Sequence, residues 1–413
     1  MKKTLGKLYA RWMYRWETRL TTLDSNRIVR PVEWGFDWLR EFAQSRGFSF
    51  PQHPEQDNAT AERVMLQLND FILRHRTEFF AYQTPQDFAL EERHPRLYPT
   101  NVRPRTLKQD AHFLRLAEAG RLPKAEFLRF TSPIRTPYPE NDRVNARWFP
   151  APPEKMVGKP KQAMIVMPHW NADAFSHNAL CSVFNRFGVS ALRLSKPYHD
   201  IRRPAELARA DYAVSANIGR TIASCRQAVV DIRCCIDWLE QQGYQQVGIL
   251  GTSLGSCYAF LAAAADSRIR VTAFNHASMY VGDVVWTGQS TRHIREAFEA
   301  IGINHQRLRD VWAAISPSSY MDQFAANPRK ILLVHATYDL TFLRKYSLQV
   351  IENFRRRGID FVSKVLPCGH YTTGETPYKF MDGWYIGSFI YRTFKHLATL
   401  PAVPAPDTEL LAR

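Results

Sequence analysis

Short apolar runs, separated by segments with a helical pattern, fill the last two thirds of the chain. They are AMIVMP (163–168), GVSALRL (188–194), QVGIL (246–250), IRVTAF (269–274), KILLVH (330–335) and DFVSKVL (360–366). Apolar runs of this length that alternate with helices are typical of a parallel sheet buried on both faces. We therefore expect an α/β fold with a mostly parallel central sheet flanked by helices.

Other segments complete this picture. EFLRFT (126–131) and VNARWF (144–149) resemble an antiparallel strand pair, and residues 218–239 keep helical spacing before QVGIL. The interval between IRVTAF and KILLVH is too long for a simple crossover, and it contains helix-like stretches. We interpret residues 278–328 as a helical lid inserted over the carboxyl edge of the sheet.

The first 122 residues contain no such strands. Helical patterns cover residues 5–20, 32–47 and 59–80, and the stretch 84–123 is basic and turn-prone. The predicted organisation is therefore a helical amino-terminal extension (1–122), an α/β domain (123–398) and a Pro-rich, extended tail (399–413).

The helix at residues 5–20 is amphipathic. Apolar side chains recur along one face: Leu5, Leu8, Tyr9, Trp12, Trp16 and Leu20. Basic side chains recur every fourth residue beside them: Lys3, Lys7, Arg11, Arg15 and Arg19. Such a helix can pack on the globule through its aromatic stripe or lie on an anionic membrane. We favour packing and keep peripheral membrane contact as the alternative.

Composition narrows the class of protein. The 413 residues are 45% hydrophobic and 13% aromatic, which predicts a large folded core. No apolar run is long enough to span a membrane. The net charge of +16 fits an Arg-rich surface or an anionic partner, but no zinc-finger or RNA-recognition pattern suggests nucleic acid. Six cysteines without a CxxC pair predict reduced thiols and a cytoplasmic protein.

The pentapeptide Gly251-Thr252-Ser253-Leu254-Gly255 directly follows QVGIL and opens an Ala-rich helix. A G-x-S-x-G sequence between a strand and a helix is the nucleophile elbow of serine hydrolases, in which the serine occupies a strained turn. The flanking glycines allow helix and strand to approach closely. We predict Ser253 as the nucleophile.

A serine nucleophile needs a base, and the base needs a carboxylate that orients it. Asp339 follows the buried strand KILLVH, and His370 follows DFVSKVL, in the chain order serine, acid, histidine. We therefore predict Asp339 as acid and His370 as base. Asp339 as a helix N-cap, His370 as a turn residue and Asp283 as the acid are the alternatives.

The loop after AMIVMP is predicted to complete an oxyanion hole with the backbone N–H of Leu254. Trp170 or Asn171 supplies the second amide, and His169 is a substrate-binding candidate in the same loop. A zinc site of His169, His199 and Asp200 is an alternative without paired-ligand spacing, so no metal is expected.

The stretch Lys196–Pro204 borders the same sheet edge. Tyr198, Arg202 and Arg203 are candidates for binding an acidic or polar substrate group, because guanidinium groups suit carboxylates and phosphates. A surface turn with solvated arginines explains these residues equally well.

These motifs resemble the α/β-hydrolase superfamily over roughly residues 124–398. More narrowly, LSKPYHDIRRP, DWLEQQGYQQVGILGTSLGS and PCGH resemble the α/β-hydrolase-domain-containing protein 18 group, which has bacterial relatives. The resemblance implies a Ser–Asp–His hydrolase, with Ser253, Asp339 and His370 at the matching motif positions. The chain departs from that group in its oxyanion loop PHWNAD, which lacks glycines, and in the less glycine-rich elbow GTSLGS.

The expected function is hydrolysis of a small-molecule or lipid ester or thioester through an acyl-enzyme, without a cofactor. The first alternative is a lipid acyl hydrolase at a membrane surface, and the second is a non-catalytic binding protein on a hydrolase fold. A peptidase of the prolyl-peptidase type would keep the triad, but a helical extension of 122 residues is too short for its propeller. The acyl group, the alcohol and the oligomeric state stay open.

Overall fold

The computed structural model describes residues 2–23, 27–99 and 106–399, and a nine-stranded sheet runs through its centre. The strands are β1 (Ala89–Arg93), β2 (Ala125–Thr131), β3 (Arg143–Phe149), β4 (Lys161–Met167), β5 (Val189–Leu194), β6 (Tyr244–Thr252), β7 (Ile269–Asn275), β8 (Lys330–Ala336) and β9 (Val362–Leu366). Their order across the sheet is β1-β2-β3-β5-β4-β6-β7-β8-β9. Strands β1, β2, β3 and β5 pair antiparallel in turn, and all pairs from β5 to β9 are parallel.

Sixteen α-helical segments surround the sheet in the described part of the chain. Those before β4 are α1 (Lys2–Thr22), α2 (Asp37–Gln44), α3 (Asn58–Arg74), α4 (Arg76–Phe79), α5 (Leu107–Glu118), α6 (Pro139–Asp142) and α7 (Pro153–Met156). Those after it are α8 (Asn178–Arg186), α9 (Ile218–Gln241), α10 (Leu254–Ala265), α11 (Val281–Thr287), α12 (Arg292–Ala300), α13 (His305–Val311), α14 (Met321–Ala326), α15 (Arg344–Arg356) and α16 (Tyr378–Leu397).

The parallel strands form where the apolar runs predict them, and β4 to β8 are buried along most of their length. The predicted burial is wrong for β9, which lies at the edge of the sheet and exposes four of its five residues. The burial of β5 is complete along all six of its residues. The antiparallel pair β2–β3 is also confirmed, with Leu128 opposite Ala146. The segment 278–328 is helical as expected, since α11 to α14 lie within it.

The sequence did not predict β1 or α5 within residues 84–123. The strand β1 reads Ala-Leu-Glu-Glu-Arg and lies at the edge of the sheet, where only one neighbour, β2, holds it. An edge strand with exposed charged side chains lacks the apolar signature of the central strands. The amino-terminal segment therefore adds a strand to the sheet as well as helices around it.

The amino-terminal helices share the main core with the sheet. Leu39 of α2 and Leu68 of α3 belong to the same buried cluster as Val229 of α9 and Ile249 of β6. Burial of such side chains is worth about 1.5–3 kcal/mol each, so these helices and the sheet stabilise one another.

Helix α1 packs on the globule, but not through the face that the sequence suggested. The fully buried residues are Met13, Glu17 and Thr21, which follow one another every fourth residue. The predicted aromatic stripe is divided, because Trp16 is half-buried whereas Trp12 remains 50% exposed. A glutamate thus occupies the centre of the packed face.

None of the described helices is both long and apolar enough to cross a membrane. The six cysteines are all buried and unpaired. The predicted extended tail, 399–413, lies outside the described residues except for Thr399.

Candidate active site

The turn between β6 and α10 holds Ser253 in a strained conformation, with φ 58° and ψ −121°. Non-glycine residues rarely adopt positive φ, and such strain clusters at functional sites. The neighbouring glycines are required by space. A Cβ on Gly251 would collide with the backbone of Gly255, and one on Gly255 would collide with the carbonyl groups of Met167 and Pro168. The elbow has the geometry that its sequence predicts.

Ser253, His370 and Asp339 form one hydrogen-bonded chain. The Nε2 atom of His370 lies 2.9 Å from Ser253 Oγ, and its Nδ1 atom lies 2.9 Å from Asp339 Oδ2. All three follow strands of the parallel part of the sheet, at its carboxyl edge. The phenyl ring of Phe342 stacks on the imidazole with an interplanar angle of 3° and fixes its plane. This geometry suits a general base that takes the proton of a serine hydroxyl.

Asp339 uses its two oxygens for different tasks. Its Oδ1 accepts the backbone N–H groups of Thr341 and Phe342 at 2.7 and 2.6 Å, while Oδ2 faces His370. The N-cap alternative is wrong for α15, which begins at Arg344 and is preceded by Leu343 at the cap position. The turn bonds instead hold the carboxylate so that its second oxygen reaches the imidazole.

The charges of the triad support one another. Burial alone would raise the pKa of Asp339, but the His370 charge and hydrogen bonds from His276 and His370 hold it well below its usual range. Burial alone would lower the pKa of His370, but the charge and hydrogen bond of Asp339, with the charge of Glu17, raise it above its ordinary value. An ionised acid next to a basic imidazole is the state that proton abstraction requires.

A second histidine, which the sequence analysis missed, contacts the acid. His276 follows β7 with φ 60°, and its Nδ1 lies 3.0 Å from Asp339 Oδ2. Burial and the nearby His370 charge lower the pKa of His276, so it stays neutral beside the triad. Its only sequence signal is its place directly after a predicted strand, a place that many non-functional residues share.

Glu17 of α1 is the second missed residue. Its carboxylate is fully buried and accepts the backbone N–H of Tyr371 at 2.8 Å and that of Thr372 at 3.0 Å. It also accepts the Thr372 hydroxyl at 3.0 Å. Burial raises the pKa of Glu17 despite these hydrogen bonds. The loop that carries His370 is therefore held by a carboxylate from the amino-terminal helix.

Further contacts seat α1 against this loop. A Cβ on Gly369 would collide with the Glu17 carboxylate, so a glycine next to His370 allows the close approach. In the first half of the helix the Tyr9 hydroxyl donates to the carbonyl of Pro367, and near its carboxyl end the Thr21 hydroxyl donates to Gln289 Oε1 at 2.8 Å. The extension thus forms part of the wall of the site.

The backbone N–H groups of the predicted oxyanion donors differ in their hydrogen bonds. Leu254 is the first residue of α10, so its N–H has no acceptor within the helix. The N–H of Asn171 is used, since it donates to His199 Nε2 at 3.1 Å, which contradicts Asn171 as the second donor. The N–H of Trp170 has no acceptor among the described residues, and its loop adjoins Gly255.

The zinc alternative is wrong. His199 bonds Pro197 O through Nδ1 and receives Asn171 N–H at Nε2, while Asp200 pairs with Arg193. His169 is exposed, and its ring lies near that of His177. Across residues 2–23, 27–99 and 106–399, one histidine and acid group has ligand spacing, and it consists of His276, Asp339 and His370.

The three residues proposed for an acidic substrate group have structural roles instead. Tyr198 is buried, with its N–H bonded to Asn141 Oδ1. Arg202 is fully buried and pairs with Asp231 at 2.8 Å. Arg203 donates to the carbonyl of Ala208 and is half-buried. Arg202 and Tyr198 bind partners that lie 29 or more residues away in the sequence. The local motif therefore gives no sign of their structural roles.

Asp283 is not the acid. It is fully buried in α11, where Arg309 binds its carboxylate and His305 Nε2 lies 2.7 Å from it. Its partners thus come from the helices of the 278–328 segment and not from the triad, and removal of a buried carboxylate paired in this way is destabilising.

Comparison with known proteins bears on the class of the chain. The model of the prolyl oligopeptidase family matches residues 225–378, a segment that contains Ser253, Asp339 and His370. This match supports the predicted serine hydrolase. No curated protein matches the chain.

Solved structures match over more of the chain. An acylaminoacyl peptidase of Pyrococcus horikoshii has a TM-score of 0.51 and 13% identity, covering 75% of this chain and 47% of that one. Acetyl xylan esterase 1 from Thermoanaerobacterium has a TM-score of 0.50 and 13% identity, covering 83% of this chain and 99% of that one. The fold is that of the α/β-hydrolases. This α/β-hydrolase-fold chain spans about half the length of the peptidase.

Proposed function

We propose that this chain is a serine hydrolase that cleaves a carboxylic ester or thioester through an acyl-enzyme. The observation that carries the proposal is the continuous hydrogen-bonded chain from Ser253 Oγ through His370 to Asp339. The family match over residues 225–378 supports the same chemistry. Amide hydrolysis uses the same groups, so the peptidase alternative differs only in the leaving group.

The reaction follows from the geometry. Ser253 Oγ attacks the ester carbonyl while its proton passes to His370 Nε2, and Asp339 stabilises the imidazolium through Nδ1–H. The N–H groups of Leu254 and Trp170 are proposed to bind the oxyanion. His370 then gives the proton to the departing alcohol or thiol. Water, deprotonated by the same imidazole, then attacks the acyl carbonyl, the bond to Ser253 Oγ breaks, and His370 returns the proton to Oγ as the carboxylic acid leaves.

The narrower resemblance to the α/β-hydrolase-domain-containing protein 18 group stays a prediction, since the comparisons do not support it. Its most specific segment, PYHDIRRP, contains Arg202, which binds Asp231 inside the fold. That segment therefore supports a shared structure and says nothing of the substrate.

A fluorophosphonate probe tests the proposal directly, because it labels only a serine that its neighbours have activated. We expect stoichiometric labelling of the wild-type chain and none of Ser253→Ala. Absence of labelling in a folded wild-type chain would overturn the proposal and favour the non-catalytic binding protein.

The contacts of Glu17 predict that it positions His370. Glu17→Ala leaves the N–H groups of Tyr371 and Thr372 without an acceptor, so the loop shifts and kcat for an ester falls about 10- to 100-fold. Because the Glu17 charge raises the pKa of His370, Glu17→Gln should move the acid limb of the kcat/KM profile to lower pH.

The same substitutions at Glu296, an exposed residue of α12, serve as the control and should leave rate and profile unchanged. A loss of stability in Glu17→Gln without any movement of the acid limb would mean that Glu17 only supports the fold.

The outer face of α1 favours a second candidate, a lipid acyl hydrolase that works at an anionic membrane. Leu5, Leu8 and Trp12 are each at least 50% exposed, and Lys7 and Arg11 are exposed beside them. Apolar side chains flanked by basic ones on a helix suit the boundary between headgroups and acyl chains. The opposite face of the same helix carries Glu17, so an attached enzyme would place its active site near the lipid.

Co-sedimentation with phosphatidylserine-containing vesicles tests this candidate. Binding should weaken as salt rises, because screening reduces the attraction between basic side chains and lipid. Trp12→Ser should lower vesicle partitioning about 10-fold or more, in line with the loss of one buried aromatic side chain. Leu107→Ser, at a residue 90% exposed on α5, is the control. Equal effects of the two substitutions would contradict attachment through α1.

A further inference from the structure

Arg27, which follows α1, has an unsatisfied guanidinium. Its Nη1 donates to the carbonyl of Gln289, but Nε and Nη2 are buried and have no hydrogen-bond partner. No carboxylate among the described residues lies within ion-pair distance of it. Nε and Nη2 form the edge of a guanidinium that binds both oxygens of a carboxylate or phosphate. Unpaired buried donors of this kind are costly, which points to a missing partner.

His293 of α12 presents a second unused group nearby. Its Nδ1 is buried without a partner, and its ring stacks on Trp170 with an interplanar angle of 5°. Burial, with the charges of Arg209 and Arg27, lowers the pKa of His293 to about 4. At neutral pH this imidazole is therefore uncharged and can donate one N–H to an anion.

The local charge is positive. The guanidinium of Arg209 lies over the Trp170 ring at 5.2 Å and pairs with Asp211 at 3.1 Å. Asp211 thus compensates Arg209, and the charge of Arg27 has no counterpart among the described side chains. An anion of the substrate would provide it.

Contacts of Arg27 and His293 place these two residues beside the triad. Gln289, which binds Arg27, donates its N–H to the carbonyl of Leu340 at 2.8 Å, next to Asp339. On the other side, His293 stacks on Trp170, whose N–H is the proposed oxyanion donor. The two residues therefore lie between the loop of the acid and the loop of the oxyanion hole.

We propose that Arg27 and His293 form a subsite for an anionic group of the substrate, so that the enzyme prefers esters carrying a carboxylate or phosphate. Arg27 binds two oxygens of that group through Nε and Nη2, and His293 donates to one of them. This inference rests on the proposed hydrolase function and specifies its substrate class. It replaces Tyr198, Arg202 and Arg203, which the structure assigns to the fold.

Matched esters test the subsite on both sides of the scissile bond. For the acyl side, p-nitrophenyl valerate is compared with the p-nitrophenyl monoester of glutarate. For the alcohol side, acetylglycerol is compared with acetylglycerol phosphate. We expect the wild-type kcat/KM to favour the charged ester at least about 10-fold in one pair, as charged hydrogen bonds predict.

Arg27→Gln should remove that preference, chiefly through KM, and leave the neutral ester within about 3-fold of wild type, which also reports correct folding. Arg27→Lys keeps the positive charge but cannot bind two oxygens at once, so it should retain part of the preference for the charged ester. Arg19→Gln, at an exposed position of α1, is the matched control and should retain all of it.

Equal losses for charged and neutral esters, or no wild-type preference in either pair, would overturn the subsite. These results differ from a failure of the proposed function, in which no ester is hydrolysed and Ser253 takes no fluorophosphonate label.

Discussion

The Ser253→Ala variant is expected to hydrolyse p-nitrophenyl butyrate with a kcat about 10⁶-fold below wild type, which is the scale for loss of a serine nucleophile. Without Oγ there is no acyl-enzyme, and His370 has no hydroxyl from which to take a proton. Any residual rate comes from substrate binding and the oxyanion donors. Steady-state kinetics with a nitrophenolate readout measure the change.

Ser182→Ala is the matched control, because Ser182 is exposed on α8 and its hydroxyl bonds only Asn178 within the helix. It should retain full activity. Ser253→Ala removes one oxygen from a 5% exposed side chain, so its melting temperature should stay near wild type. Turnover at the wild-type rate in Ser253→Ala would refute the assignment of the nucleophile.

The second large effect is expected for Asp339→Asn, which should lower kcat about 10⁴-fold. The amides of Thr341 and Phe342 continue to require an oxygen at the Oδ1 position, so the new NH₂ group must face His370. An amide donor there forces the proton of His370 onto Nε2, the wrong tautomer for accepting the Ser253 proton. The triad would keep its shape and lose its base.

Asp283→Asn is the comparison, because it makes the same change at a buried carboxylate that binds Arg309 and His305. It should lower the melting temperature and retain catalysis at temperatures where the protein is folded. If Asp283→Asn abolished turnover while Asp339→Asn did not, the acid would be Asp283.

The strands and the triad could be predicted because their signals are local. A buried parallel strand is a short apolar run, and Ser253 and Asp339 each follow one, whereas His370 follows the exposed edge strand β9. The parallel topology brings all three to the same edge of the sheet. The glycines of the elbow were predicted for the reason that the structure shows, since Gly251 and Gly255 have no room for a Cβ.

The residues that were missed depend on distant partners. Glu17 lies 354 residues before Tyr371, and no spacing rule relates positions so far apart. Glu17 lies beside the apolar face of α1, and the helical pattern of the sequence shows it only as a polar residue that interrupts this face. Arg202 was misassigned for the same reason, because its partner Asp231 comes from α9.

The link between α1 and the loop of His370 also affects how the enzyme reaches its active state. Residue 17 leaves the ribosome long before residue 371. The Glu17 carboxylate therefore has no loop N–H groups to bind until the strands and helices between the two residues have formed. Contacts with so large a sequence separation form late, after the intervening chain has condensed. Catalytic competence should therefore appear among the last events of refolding, after the secondary structure has returned.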